Sequence, residues 1–183
     1  PAAHPDDAVG MASAVPTVAT VQAERLADTS GRDLGVDWSQ VAELRTQASE
    51  MLTSALQDRN DLDPAAHIQA GRALAALRDE GVLIVGSGMS FHNMRGYGDP
   101  RYSPVSATFD TWLTAAVESA TPRREALLAD WTSAPHARDS HPPGGEEHLL
   151  PLLVAAGAGS GSQGRKVYSE EVMKTTLSAF RFD

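Results

Sequence analysis

The sequence predicts an α/β fold in which helices flank a mixed central sheet. Three observations lead there. From Pro64 to about Arg78, Ile68, Gly71, Leu74, Ala75 and Leu77 form one face at helical spacing, and Gly81 follows as a stop. Val82-Leu83-Ile84-Val85 is then a continuous apolar run rich in β-branched residues, which reads as a strand covered on both faces. Gly86-Ser87-Gly88 comes at once after it. Helix, glycine turn, buried strand and glycine-rich loop is the order of an α/β unit, and the loop beyond such a strand is the usual place for a site.

The elements follow in chain order. Residues 1–37 hold few large apolar groups to offset chain entropy and form a weakly ordered N-terminal segment, with a short helix over Ala19–Ala27. Residues 38–183 read as one partial α/β domain. Asp37 is an N-cap, and Val41, Leu44, Ala48, Met51, Leu52 and Ala55 give an amphipathic helix from Val41 to Leu56. Asp63 caps the next helix, with Pro64 at its first position. Met94 to Ser106 is loop, and substrate-lining residues are expected from Arg95 to Ser106. Phe109, Trp112, Leu113, Ala116 and Val117 form a helix; Pro122 opens another with Leu127, Leu128 and Trp131 on its apolar side. Pro135 to Gly145 is loop. A helix starts at Glu146 or Glu147 and runs to about Ala156, followed by a small-residue linker from Gly157 to Gly164. Lys166–Tyr168 and Thr175–Phe182 read as two short strands.

Composition narrows the function. A formal charge of −9, with no basic cluster longer than Arg123-Arg124, sets nucleic acid and anionic membrane surfaces aside. The longest apolar stretch, Leu149 to Gly159, is about half of what a bilayer span requires, and residues 1–20 show no secretory signal. There is no cysteine, which excludes disulfides and thiolate chemistry and fits a cytoplasmic protein. Any metal must therefore sit on histidine and carboxylate, a donor set suited to Zn or non-haem Fe(II).

Six histidines are the candidates for metal binding or proton transfer. His92 stands shortly after the Val82–Val85 strand, at its carboxyl rim, beside glycines that leave the backbone open. His148 lies in Glu146-Glu147-His148-Leu149-Leu150-Pro151, at the start of an apolar helix. Glu147 and His148 are adjacent, so on a helix they point about 100° apart and do not easily enter one site. His141 and His136 share a loop expected to pass near His148. His136 reads as solvated, His67 as surface or packing, and His4 as part of the loose N-terminal segment.

Taken together, two separated motifs resemble the class III extradiol ring-cleavage dioxygenases, the LigB-like superfamily that includes the DOPA 4,5-dioxygenases. Asp63 to Arg95 resembles that family's helix, strand and histidine loop. Ala134 to Gly159 resembles its second signature, a His-Pro, a spacer and Glu-His-Leu-Leu-Pro-Leu, and the run from Val172 to Phe182 resembles its closing strand. The resemblance covers about Leu56 to Asp183, the family's C-terminal part, and implies a LigB-like α/β sandwich lacking the family's N-terminal half. It implies ring opening of a catechol-type aromatic with O2 at Fe(II), with zinc as another occupant. It implies that His92 is the acid/base and His148 a metal ligand, with His141, Asn93 and Glu147 behind the site or touching substrate. The family's further metal histidines, in a His-Gly-Ser/Gly-Pro loop and an Ala-His-Trp segment, have no match in residues 1–55. A homodimer or a partner chain supplying those ligands follows as an expectation. The alternative reading is a catalytically inactive family member serving as an interaction or binding module.

Overall fold

The computed structural model of the chain describes the backbone of residues 21–25 and all of residues 63–183. Its class is α/β. The described elements are β1 (Val21–Arg25), α1 (Pro64–Asp79), β2 (Val82–Gly86), α2 (Ser103–Glu118), α3 (Thr121–Ala129), α4 (Ala137–Ser140), α5 (Leu150–Ala158), β3 (Gly164–Val172) and β4 (Thr175–Phe182). The helix expected over Val41–Leu56, the boundary near residue 37 and His4 lie outside the described residues.

The first helix forms where its punctuation says. The Asp63 carboxylate accepts from the Ala65 amide at 2.9 Å, Pro64 sits in the first turn, and Gly81 takes φ of 79°, a left-handed geometry that glycine adopts without a Cβ penalty. His67 is buried in this helix and its Nδ1 donates to the Asp63 carbonyl at 2.9 Å, which settles it as a packing residue.

Several expectations change. Residues 21–25, read as part of a short helix, form a strand that pairs antiparallel with β2, Val21 opposite Gly86 and Arg25 opposite Val82. The single mixed central sheet is, among the described residues, two separate antiparallel pairs, β1–β2 and β3–β4. Nor is β2 covered on both faces among the described residues. Val82 is buried, whereas Leu83 and Val85 are 41% and 42% exposed. A short apolar run does not say how many faces will be covered; that depends on which elements pack against it. α2 begins at Ser103 rather than after Ser106, because Pro104 is compatible with a first turn that needs no amide hydrogen.

α5 is the centre of the molecule. Leu150, Pro151, Leu153, Val154, Ala156, Gly157 and Ala158 are all buried, so the helix is apolar nearly all round. One side packs with Phe109, Leu113, Leu128 and Trp131 in the larger core; the other joins Ala70 and Leu74 of α1. Its carboxyl end is held by two arginines. Fully buried Arg124 donates to the carbonyls of Gly159 and Ser162 at 3.1 and 3.0 Å, and Arg78 donates to those of Ala158 and Phe182. Cations that satisfy the last carbonyls of a helix are favourable there.

Glycines set the closeness of α1 to α5. A Cβ on Gly157 would stand 2.1 Å from the Ile68 carbonyl oxygen, and one on Gly71 2.0 Å from that of Val154. Backbone cannot yield as a side chain does. Gly157→Ala is therefore expected to push the helices apart and cost about 1–3 kcal/mol, despite alanine's better helix propensity. A lowered urea midpoint with unchanged slope is the expected reading.

The last two strands form a hairpin. β3 runs on to Val172, well beyond Tyr168, and is joined to β4 through Met173 and Lys174 at φ of 48° and 68°. Two successive positive φ values are the mark of a type I′ turn. Neither residue announces it, which is why the sequence shows two short strands in place of one hairpin.

Candidate metal centre and its supporting loop

The site is built where the loop after β2 meets the chain entering α5. Gly86 and Gly88 make the approach possible. A Cβ on Gly88 would lie 2.2 Å from the His148 carbonyl oxygen and one on Gly86 2.4 Å from that of Pro151. With the backbones this close, the Met89 amide donates to the His148 carbonyl at 2.9 Å. The glycines thus seat the His148 segment directly against the loop that carries His92.

Past Met89 the loop is pinned by its side chains. Phe91 is 1% exposed and packs edge-on against Tyr97 and Tyr102, and the Tyr97 hydroxyl donates to the Phe91 carbonyl at 2.8 Å. The Ser90 hydroxyl accepts from the Ser178 amide of β4 at 2.9 Å. His92 follows, mostly buried.

From the other side, Glu146 to His148 form a single 3-10 turn, and α5 starts only at Leu150. This corrects the expected helix start at Glu146 or Glu147. Pro151 has no amide hydrogen to donate to the Glu147 carbonyl, so a regular helix does not extend back through the acidic pair. The two acids then divide. Glu146 pairs with Arg138 and accepts from the Gly144 amide at 2.7 Å. Glu147 is left to the site.

There three side chains converge. The rings of His92 and His148 stack with centroids 3.6 Å apart and planes 28° apart. Glu147 Oε1 is 3.9 Å from His92 Nδ1 and 4.0 Å from His148 Nε2. One ligand atom from each lies within 4.8 Å of the others. The adjacency of Glu147 and His148 therefore does not keep them out of one site: the turn is not α-helical, and the long glutamate side chain spans the gap.

The donor set fits a divalent cation. Two imidazole nitrogens and a carboxylate oxygen suit Fe(II) or Zn, and a metal held by three such groups keeps open positions. His92 Nδ1 is a buried nitrogen with no hydrogen-bond partner among the described residues. Burial, and then the neighbouring His92, hold the His148 pKa below its ordinary value, with Glu147 acting in the opposite sense. His148 is thus favoured in the neutral form that ligates metals.

Of the other sequence candidates, Asn93 and His141 are buried and hydrogen-bonded to backbone. Asn93 Nδ2 donates to the Asp139 carbonyl at 2.7 Å, and its Oδ1 accepts from the Arg95 amide at 3.1 Å. His141 is fully buried and its Nε2 donates to the Ser90 carbonyl at 3.1 Å. His136 is exposed and pairs with Asp139. Sequence reading missed Ser140, whose carbonyl accepts from the His92 amide at 2.9 Å. A carbonyl leaves no trace in residue type. It also missed why Gly88 is glycine, although a Gly-Ser-Gly beside a histidine loop was a signal. A groove of 480 Å³ between β2, β4 and α5 is lined by Val85, Gly88, Met89, His148, Leu152 and Phe180 among others. No residue from Arg95 to Ser106 lines this groove. Among the described residues no helix is long and apolar enough to cross a membrane.

Comparisons with known proteins agree with this picture. Dioxygenase tasH of Hapsidospora irregularis is 36% identical over 128 residues, which is 64% of this chain and 40% of that protein. The 4,5-DOPA dioxygenase extradiol of Beta vulgaris is 39% identical over 105 residues, and that of Escherichia coli (strain K12) 34% identical over 119 residues, covering 38% and 43% of those proteins and 56% and 63% of this chain. The chain thus spans about two-fifths of the length of these curated relatives. The crystal structure of an uncharacterized Escherichia coli K12 protein superposes with a TM-score of 0.55 at 31% identity, over 64% of this chain and 48% of that one. A family model, the catalytic LigB subunit of aromatic ring-opening dioxygenase, matches residues 60–181. With that match spanning most of the described chain and both histidine segments, the protein belongs to the LigB family of aromatic ring-opening dioxygenases.

Proposed function

We propose that this chain carries the metal-binding and proton-transfer residues of an extradiol ring-opening dioxygenase acting on a catechol-type aromatic with O2. The observation that supports it best is the convergence of His92, Glu147 and His148 within one small volume.

In this reading His148 Nε2 and a Glu147 carboxylate oxygen would hold Fe(II), with Zn as an alternative occupant. When bound, the ion would supply open positions for the catechol oxygens and O2. His92 Nδ1, which has no hydrogen-bond partner among the described residues, takes a proton from the substrate's hydroxyl and later returns it; an imidazole is well suited to moving protons near neutral pH. Apolar walls on the groove beside His148 give an aromatic ring a place to lie. Further donors would come from a homodimer partner or another chain. The absence of cysteine fits a cytoplasmic setting. A second reading takes His92 as a third ligand, favoured by its 3.9 Å distance from Glu147.

The test is direct. The chain is loaded anaerobically with ferrous iron, given DOPA and a series of simpler catechols, and exposed to air. A yellow ring-opened product with matching O2 uptake is expected. A chain that takes up no iron on loading and yields no colour with any of them would overturn the assignment.

A further inference from the structure

We infer that the segment Asp139–His141 is a positioning clamp for His92, so that its three residues set the placement of the ring without touching substrate. This rests on the proposed role of His92 for its effect on turnover, but not for its structural content.

Three successive residues of one segment bond three points of the other. The Asp139 carbonyl accepts from Asn93 Nδ2 at 2.7 Å, the Ser140 carbonyl from the His92 amide at 2.9 Å, and His141 Nε2 donates to the Ser90 carbonyl at 3.1 Å. The bonds bracket His92 on both sides and include its own amide. None engages its ring, which stays free to stack on His148.

The clamp is itself anchored. His141 is fully buried, edge-on to Phe109 and Trp131 at 5.6 and 5.7 Å, two large residues of the main core. Ser90, the residue His141 grips, is tied by its hydroxyl to β4. Core packing is therefore transmitted through His141 to the loop backbone, and from there to His92. A side chain that must stack at 3.6 Å and face a carboxylate needs its backbone fixed on both sides.

The test uses three variants of the intact chain. His141→Phe keeps the aromatic volume and removes the donor. His141→Gln keeps a donor. Asn93→Ala removes the bond to the Asp139 carbonyl, together with the local bond from the Arg95 amide, and leaves the Phe109 and Trp131 core untouched. Amide hydrogen exchange at His92 and the nuclear Overhauser contact between the His92 and His148 rings are read without metal or substrate. In His141→Phe and in Asn93→Ala, exchange at His92 is expected to quicken by about tenfold while the amides of Leu74 and Leu153 keep their rates. The ring contact weakens, and His141→Gln restores both. In iron-loaded protein the same variants lower kcat with metal affinity unchanged. Unaltered His92 exchange in Asn93→Ala and His141→Phe overturns the clamp. So does a uniform rise that includes Leu74 and Leu153. If even the unaltered chain opens no catechol, the functional reading fails while the exchange data still decide the clamp.

Discussion

His148→Ala is expected to weaken divalent-metal affinity by about 100-fold or more, whereas His92→Ala keeps metal content near that of the unaltered chain and lowers turnover by about 10²–10⁴-fold. Both rings sit in the same group, so proximity alone does not separate their roles. Their surroundings do. His148 is held below its ordinary pKa by burial and by His92, which favours the neutral, ligating form at working pH. Its carbonyl is fixed by the Met89 amide and its segment is wedged against Gly88, so the ring is presented from rigid backbone. His92 offers a buried nitrogen with no hydrogen-bond partner among the described residues, as a group that must accept and release a proton requires. Metal content by atomic absorption and single-turnover product formation, measured on both variants, separate the roles. Equal metal loss in both would establish His92 as a third ligand.

The second large effect is on stability. Lowering the pH from about 6.5 to about 4 is expected to cost about 3 kcal/mol through His141 alone. Burial pulls its pKa from 6.5 down to about 4, against the opposing effect of its bond to the Ser90 carbonyl. Between these values the unfolded chain binds a proton that the folded chain does not. Acid therefore drives unfolding across this window, and the contribution is fully present only above about pH 6.5. At ~1.4 kcal/mol per pH unit the gap gives the figure above. His67 is also lowered by burial and adds to the same slope. Urea melts at pH 7 and pH 4.5, on the unaltered chain and on His141→Phe, isolate the part that belongs to His141. The variant is expected to lose less stability on acidification; an equal loss in both would remove His141 as the source.

What the sequence made legible was local. Asp63, Pro64 and Gly81 mark both ends of α1 because each acts on its own backbone. Thr175–Phe182 was readable as a strand from composition and alternation. The rest depended on partners far along the chain. The pairing of Val21–Arg25 with β2 reaches across some sixty positions, and no local pattern in that stretch distinguishes strand from short helix. The exposure of Leu83 and Val85 reflects what does not pack over them. For the site, histidines and motif spacing named His92 and His148. What they hid was the geometry: Pro151 turns the acidic pair into a 3-10 turn, Glu146 is taken up by Arg138, and Glu147 is thereby left facing both rings. Ser140 acts through its carbonyl, which every residue carries.

The central claim is that Glu147 and His148 hold a metal ion directly beside the His92 ring. Titration with Co(II), followed by visible absorption and by the imidazole proton resonances, tests it most directly. One equivalent is expected to bind, with large paramagnetic shifts of the His92 and His148 ring protons and none at His67 or His136. Co(II) that leaves the His92 and His148 resonances in place, or that fails to bind at stoichiometric concentration, would contradict it.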